Sequence, residues 1–101
     1  MARRKNLYQT LAAIATNVYY QPPENIKLKY PCIIFSLANI SKRHADSYAP
    51  GYTTTEKYNI TVIDRDPDSV IVDNVVMLPY CSFVNQFTKE NLYHTNFTIY
   101  V

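Results

Sequence analysis

The sequence predicts an α+β fold: a small antiparallel or mixed β-sheet with an N-terminal helix and a second short helix packed on it, and one long hairpin loop. Three observations predict it. Apolar residues recur at helical spacing near the N-terminus, and they alternate with period two through the middle and the end. Between the strand-rich stretches lies an acidic turn followed by an apolar run that stops at a proline. With 101 residues the chain fits a single domain, residues 1–101.

Leu7, Leu11, Ile14 and Val18 recur at steps of four, three and four, which predicts a helix over residues 4–18. Arg3, Arg4 and Lys5 precede its narrow apolar stripe, where positive charge opposes the helix dipole. Gln21-Pro22-Pro23 ends anything helical, because proline removes a donor and restricts its predecessor. Residues 25–30 continue extended, and CIIFSLANI, residues 32–40, is β-branched and aromatic enough for a half-buried strand. Residues 41–54, SKRHADSYAPGYTT, are the most polar stretch and hold the sole glycine, Gly51. Tyr48 and Tyr52 flank the Pro50-Gly51 turn signal, so the segment predicts a long hairpin tip.

Residues 55–64 then alternate, with Tyr58, Ile60 and Val62 on one face. In the turn that follows, Asp68 or Ser69 is placed to cap a helix whose Ile71, Val75 and Leu78 share a face and which Pro79 ends. Val70, Val72 and Val76 weaken helix propensity, so this helix needs tertiary packing to form. Residues 81–87 predict a strand, 88–91 a turn, and 93–101 a last strand with Tyr93, Thr95, Phe97, Ile99 and Val101 on one face.

Composition narrows the function. Charged residues are 18% and aromatics 14%, which argues against disorder. The net charge of +2 and pI near 8.5 fall short of the basic excess of an autonomous nucleic-acid binder. No apolar run approaches the roughly 20 residues needed to span a bilayer. Asn6, Gln9 and Thr10 break the apolar core a signal peptide requires, so the expectation is synthesis and assembly in the cytoplasm, without a membrane partner. Cys32 and Cys81 are the two cysteines, expected as buried free thiols.

No constellation carries catalysis, and the expectation is a protein that is not an enzyme and uses no cofactor. Cys32, His44, Cys81 and His94 are too widely spaced for a structural zinc site, whose ligands come in close pairs. Asp64, Asp66 and Asp68 open like a calcium loop, but its glycine and glutamate positions hold Ser69 and Val75. Turn-forming and capping aspartates account for them. None of Ser36, Ser41, Ser47, Ser69 and Ser82 sits in a nucleophile elbow, and one glycine cannot build a phosphate cradle.

Tyrosine is the compositional signal, ten residues against four phenylalanines and no tryptophan. It suits half-buried strands. It also suits protein interfaces, where it gives contact area with few torsions to freeze. Stacking on nucleobases is the third use, disfavoured here because the basic residues are scattered among the tyrosines.

The turn TVID-x-DPDS at residues 61–69, the helix closing on LPYCSF at 78–83, and the ending NL-x-H-x-x-FT-x-Y at 91–100 resemble the tail-terminator, or tail-completion, proteins of long-tailed bacteriophages. The resemblance covers most of the chain from YQPPENIKLKYPCI onward. It implies a virion structural subunit of a ring, commonly hexameric, at the head-proximal end of the tail. Such a ring ends tail-tube polymerisation and presents a surface to the head-side connector, and DNA crosses its lumen without sequence-specific binding. Its partners would be other copies of the chain, the tail tube protein and the connector. A closed ring of identical subunits requires a heterologous contact. The residues expected to meet subunits or partners are Lys42, Arg43, Tyr48 and Tyr52 in the 41–54 loop, with Arg3 and Arg4 at the N-terminus. The alternatives are a head-closure (stopper) protein of the same neck, or a small nucleic-acid-binding module.

Overall fold

A computed structural model describes residues 3–22, 27–44 and 52–101. Two helices and five strands follow one another as α1 (Arg3–Ala12), β1 (Val18–Tyr20), β2 (Cys32–His44), β3 (Tyr52–Asp64), α2 (Val70–Val76), β4 (Cys81–Lys89) and β5 (Leu92–Tyr100). The strands form one mixed sheet in the order β1-β2-β3-β5-β4, with β1 parallel to β2 and every other pair antiparallel. This is the α+β class that the periodicities predict.

The core lies on one face of the sheet. Ile33 and Phe35 from β2, Tyr58, Ile60 and Val62 from β3, and Phe97 and Ile99 from β5 are buried there, under Leu7 and Leu11 of α1 and Val75 of α2. Alternation therefore selects the inner residues of β3 and β5 as expected. Ile71 and Leu78 flank Val75 against the same cluster, which gives the valine-rich α2 the packing its propensity lacks.

Several boundaries differ from the sequence expectation. The first helix ends at Ala12, because the Leu11 carbonyl accepts from both the Ile14 and Ala15 amides and closes the helix in a turn. Val18-Tyr19-Tyr20, β-branched and aromatic, then pair in parallel with Ile33, Ile34 and Phe35. Val18 is thus a strand residue and not the last turn of a helix. The 41–54 segment is not all loop: the ladder continues through Ser41↔Thr55, Lys42↔Thr54, Arg43↔Thr53 and His44↔Tyr52. The Thr53-Thr54-Thr55 run favours strand, which explains the extension.

Ser69 occupies the N-cap of α2 with extended dihedrals, yet its hydroxyl does not cap. It donates instead to Asp64 Oδ2 at 2.6 Å, while Asp64 Oδ1 accepts from the Asp66 amide and Asp66 Oδ1 from the Asp68 amide. The aspartates build the turn, and none of them caps the helix through Ser69. The β4–β5 turn is tighter than expected, with Lys89 paired to Leu92 and only Glu90 and Asn91 between, at φ 54° and 63°. Two consecutive positive φ values define the hairpin turn that matches strand twist.

The strands set the shape. Thirteen residues at about 3.3 Å each span roughly 43 Å, so β2 and β3 account for the long axis of the 55 × 26 × 22 Å molecule. The radius of gyration, 15.4 Å, exceeds the roughly 13 Å of a compact chain this long. Only part of the β2–β3 hairpin is embraced by other strands. β1 covers Ile33–Phe35, and β5 reaches Lys57, after which Val101 and Glu56 exchange backbone hydrogen bonds of 2.8 and 3.1 Å. Beyond Glu56 the hairpin is, among the described residues, a two-stranded arm.

Candidate functional site

The arm holds part of the residue set expected at an interface. Lys42 and Arg43 pair with Thr54 and Thr53, and Tyr52 pairs with His44 at its outer end. Tyr48 lies outside the described residues. Arg3 opens α1. Arg4 lies apart from the arm, exposed on α1, with its guanidinium 4.9 Å over the Tyr20 ring.

Around Arg4 lies a concavity of about 440 Å³ bounded by Arg4, Lys5, Tyr8, Gln9, Tyr20 and Phe35. Parallel pairing places Tyr20 beside Phe35, ring centroids 4.9 Å apart, and Tyr8 of α1 closes over Phe35 at 6.3 Å. Phe35 in turn packs on Tyr58 at 6.1 Å. The floor is aromatic and the rim cationic, a combination that accepts an apolar or aromatic side chain with a carboxylate nearby. Below it the Tyr58 hydroxyl donates to Glu56 Oε2 at 2.9 Å. Burial, joined by that hydrogen bond and the Glu56 charge, pushes the Tyr58 phenol up to about 12.

The opposite edge is different in kind. Every residue of β4 after Cys81 is exposed, including Phe83, Val84 and Phe87, and Val76, Met77 and Tyr80 continue the apolar surface from the end of α2. Met77 and Tyr80 are each 81% exposed, the most of any large apolar residue described. A register shift between Phe83 and Asn85 leaves Val84 as a bulge and reverses the facing of the strand. Phe83 stays on the core face, edge-on to Phe97 at 6.0 Å. Phe87 is turned to the other face, stacked on His94 at 4.8 Å and 9°. After the bulge Gln86 points inward and donates to the buried Thr95 hydroxyl at 2.8 Å.

Among the described residues the buried side chains of both helices join the core cluster. On the other face of the sheet the middle rows are polar: Thr61 donates to Asn96, and Asn96 to Asn85, each at 2.7 Å. Ser36, Asn59 and Thr98 line the same shallow depression of about 400 Å³. Cys32, Ile63, His94 and Phe87 form the row beyond it. Both cysteines are free: Cys32 is buried, its thiol pushed up to about 11 by burial, and Cys81 is half-buried and raised for the same reason. Among the described residues no three His, Cys, Asp or Glu side chains converge on a metal position. Among them, too, no helix is long and apolar enough to cross a membrane.

Sequence reasoning picked out Arg4 but missed its aromatic partners and the whole β4 edge. The signal lay in SFVNQF, where Phe83, Val84 and Phe87 fit no single strand face. Searches of protein-family models and of curated proteins return no match to this chain.

Proposed function

We propose that this chain is a structural subunit of the neck of a long-tailed bacteriophage. In this reading copies of it form a ring at the head-proximal end of the tail tube, end tube growth and join the tail to the head. The observation that carries the reading is the contrast between the two open edges of the sheet. The β1 edge offers a basic, aromatic concavity, and the β4 edge an exposed strand bearing Phe83, Val84 and Phe87, whose one charge is the terminal Lys89, beside a helix whose one charge is Asp73. Unlike edges on opposite sides of one subunit favour head-to-tail association, which closes into rings when the rotation allows. The arm adds a feature suited to reaching a neighbouring ring. The sequence resemblance to tail terminators supplies the setting.

A head-closure protein of the same neck would share these features. Immunogold electron microscopy on particles of the source virus, with heads and tails separated, distinguishes the two. Label at the head-proximal tip of free tails is expected. Label that stays with heads would reassign the chain to the stopper, and particles without label would overturn the neck reading altogether.

A further inference from the structure

One row of residues crosses the whole sheet on its core face: Tyr20, Phe35, Ile60, Phe97 and Phe83, one from each strand in spatial order. Its two ends are the floor of the basic concavity and the exposed aromatic of the β4 edge. Phe83 is 56% exposed although it is edge-on to the buried Phe97. The row is complete in the middle and open at both ends.

The backbone is compatible with continuing it. β4 runs antiparallel to β5, and following the pairings across the sheet makes β4 and β1 point in opposite directions. A neighbour placed by extending the sheet with its core face on the same side would therefore set β4 antiparallel to β1. Asn17 and Gln21 direct their backbone groups to β2, so strand alternation turns those of Val18 and Tyr20 to the side where, among the described residues, no strand pairs.

Charge agrees. Residues 1–23 contain Arg3, Arg4 and Lys5 and no acidic residue, and the Lys29 amide is held to Tyr19 Oη at 3.3 Å beside the same edge. From Asp64 to Lys89 acidic residues outnumber basic ones: Asp73 is exposed on α2 four residues before Met77, Asp64, Asp66 and Asp68 stand with Arg65 in the turn before it, and Lys89 lies at the far end of β4. A copy meeting its own kind β4 to β4 would bring like charge together, whereas β4 to β1 pairs opposite charge.

We infer that the β4 edge of one copy docks antiparallel on the β1 edge of the next, with Phe83, Tyr80 and Met77 entering the concavity of Arg4, Tyr8 and Tyr20 and Asp73 meeting Arg4 and Lys5. This contact deepens the ring reading and rests on it, giving the heterologous interface its residues. Both sides combine an aromatic anchor with a charged neighbour, the composition of interface hot spots. Met77 against Tyr8 and Tyr20 adds thioether–aromatic contact.

The test uses the full chain. A photoreactive phenylalanine analogue at position 83 is expected to crosslink to the peptide carrying Tyr8 or Tyr20 of another copy. Sedimentation should show Met77→Asp/Tyr80→Asp weakening self-association by roughly thirtyfold or more, as loss of a hot spot does. Both positions are exposed, so folding is retained, as circular dichroism would verify. Arg4→Glu/Lys5→Glu should also abolish association, and adding Asp73→Lys should restore it. A monomeric wild type, a crosslink from 83 to the β4 of the other copy, or oligomers indifferent to these variants would each overturn the inference. Rings held by other surfaces would leave the neck reading standing. Rings held by this contact but absent from particles would remove the neck reading and keep the contact.

Discussion

Leu11→Ala tests how α1 is held. The helix has ten residues and no acidic residue in its first turn, and a helix that short is marginal by itself in water. Its attachment rests on Leu7 and Leu11, with Ala15 and Ile14 in the turn after it. Leu11 is fully buried, so truncation removes its transfer energy and leaves a cavity, together about 2–5 kcal/mol. Domains of this size have only about 5–15 kcal/mol in total. At about 4–8 °C per kcal/mol, the melting midpoint should fall by at least about 8 °C. Thr10→Ala is the control, because Thr10 is exposed and spends its hydroxyl on the Asn6 carbonyl of its own helix at 2.9 Å. Urea titrations followed by circular dichroism and tyrosine fluorescence would measure both. A loss below about 1 kcal/mol for Leu11→Ala, equal to the control, would mean that α1 is not docked as described.

Four further outcomes follow from the same structure. The Tyr58 phenol is raised from an ordinary 10.0 to about 12, so its contribution to stability is complete below pH 10 and is lost as pH rises toward 12. Tyr58→Phe should remove that part of the alkaline slope, read from denaturant midpoints against pH. Cys81 should react with a thiol reagent well before Cys32 in the native protein, and the two should react alike in urea. Replacing Glu90-Asn91 by Asn-Gly should raise stability by a few tenths to about 1 kcal/mol, because both positions hold positive φ. Cutting the 41–54 segment to a short turn should leave folding intact but abolish tail–head joining, and normally infectious particles would refute the role given to the arm.

Much of the fold was legible because burial on one face writes a period into the sequence. Tyr58, Ile60 and Val62, and Thr95, Phe97 and Ile99, were readable as inner residues for that reason. The failures have local causes. Val18 satisfied a helical step by coincidence, and only the pairing partner on β2 made it a strand. The bulge at Val84 breaks the period of β4, so Phe83 and Phe87, four residues apart and on one face by plain alternation, lie on opposite faces. Ser69 was legible as a cap by type, but Asp64 offered its hydroxyl a charged acceptor at 2.6 Å. Of the candidate site, Arg4 was visible as charge alone, since Tyr8, Tyr20 and Phe35 come from three elements.

The arm beyond Glu56 and Val101 has an energetic consequence of its own. Two strands without a third are marginal in isolation, so its ladder is an opening unit separate from the core. It can be remodelled by whatever it touches while Phe35, Tyr58 and Phe97 stay packed, because the clamp at Val101 stops the opening there. A subunit built this way holds its rigid body and its adaptable limb on the same two strands, and the limb can change state at little expense to the fold.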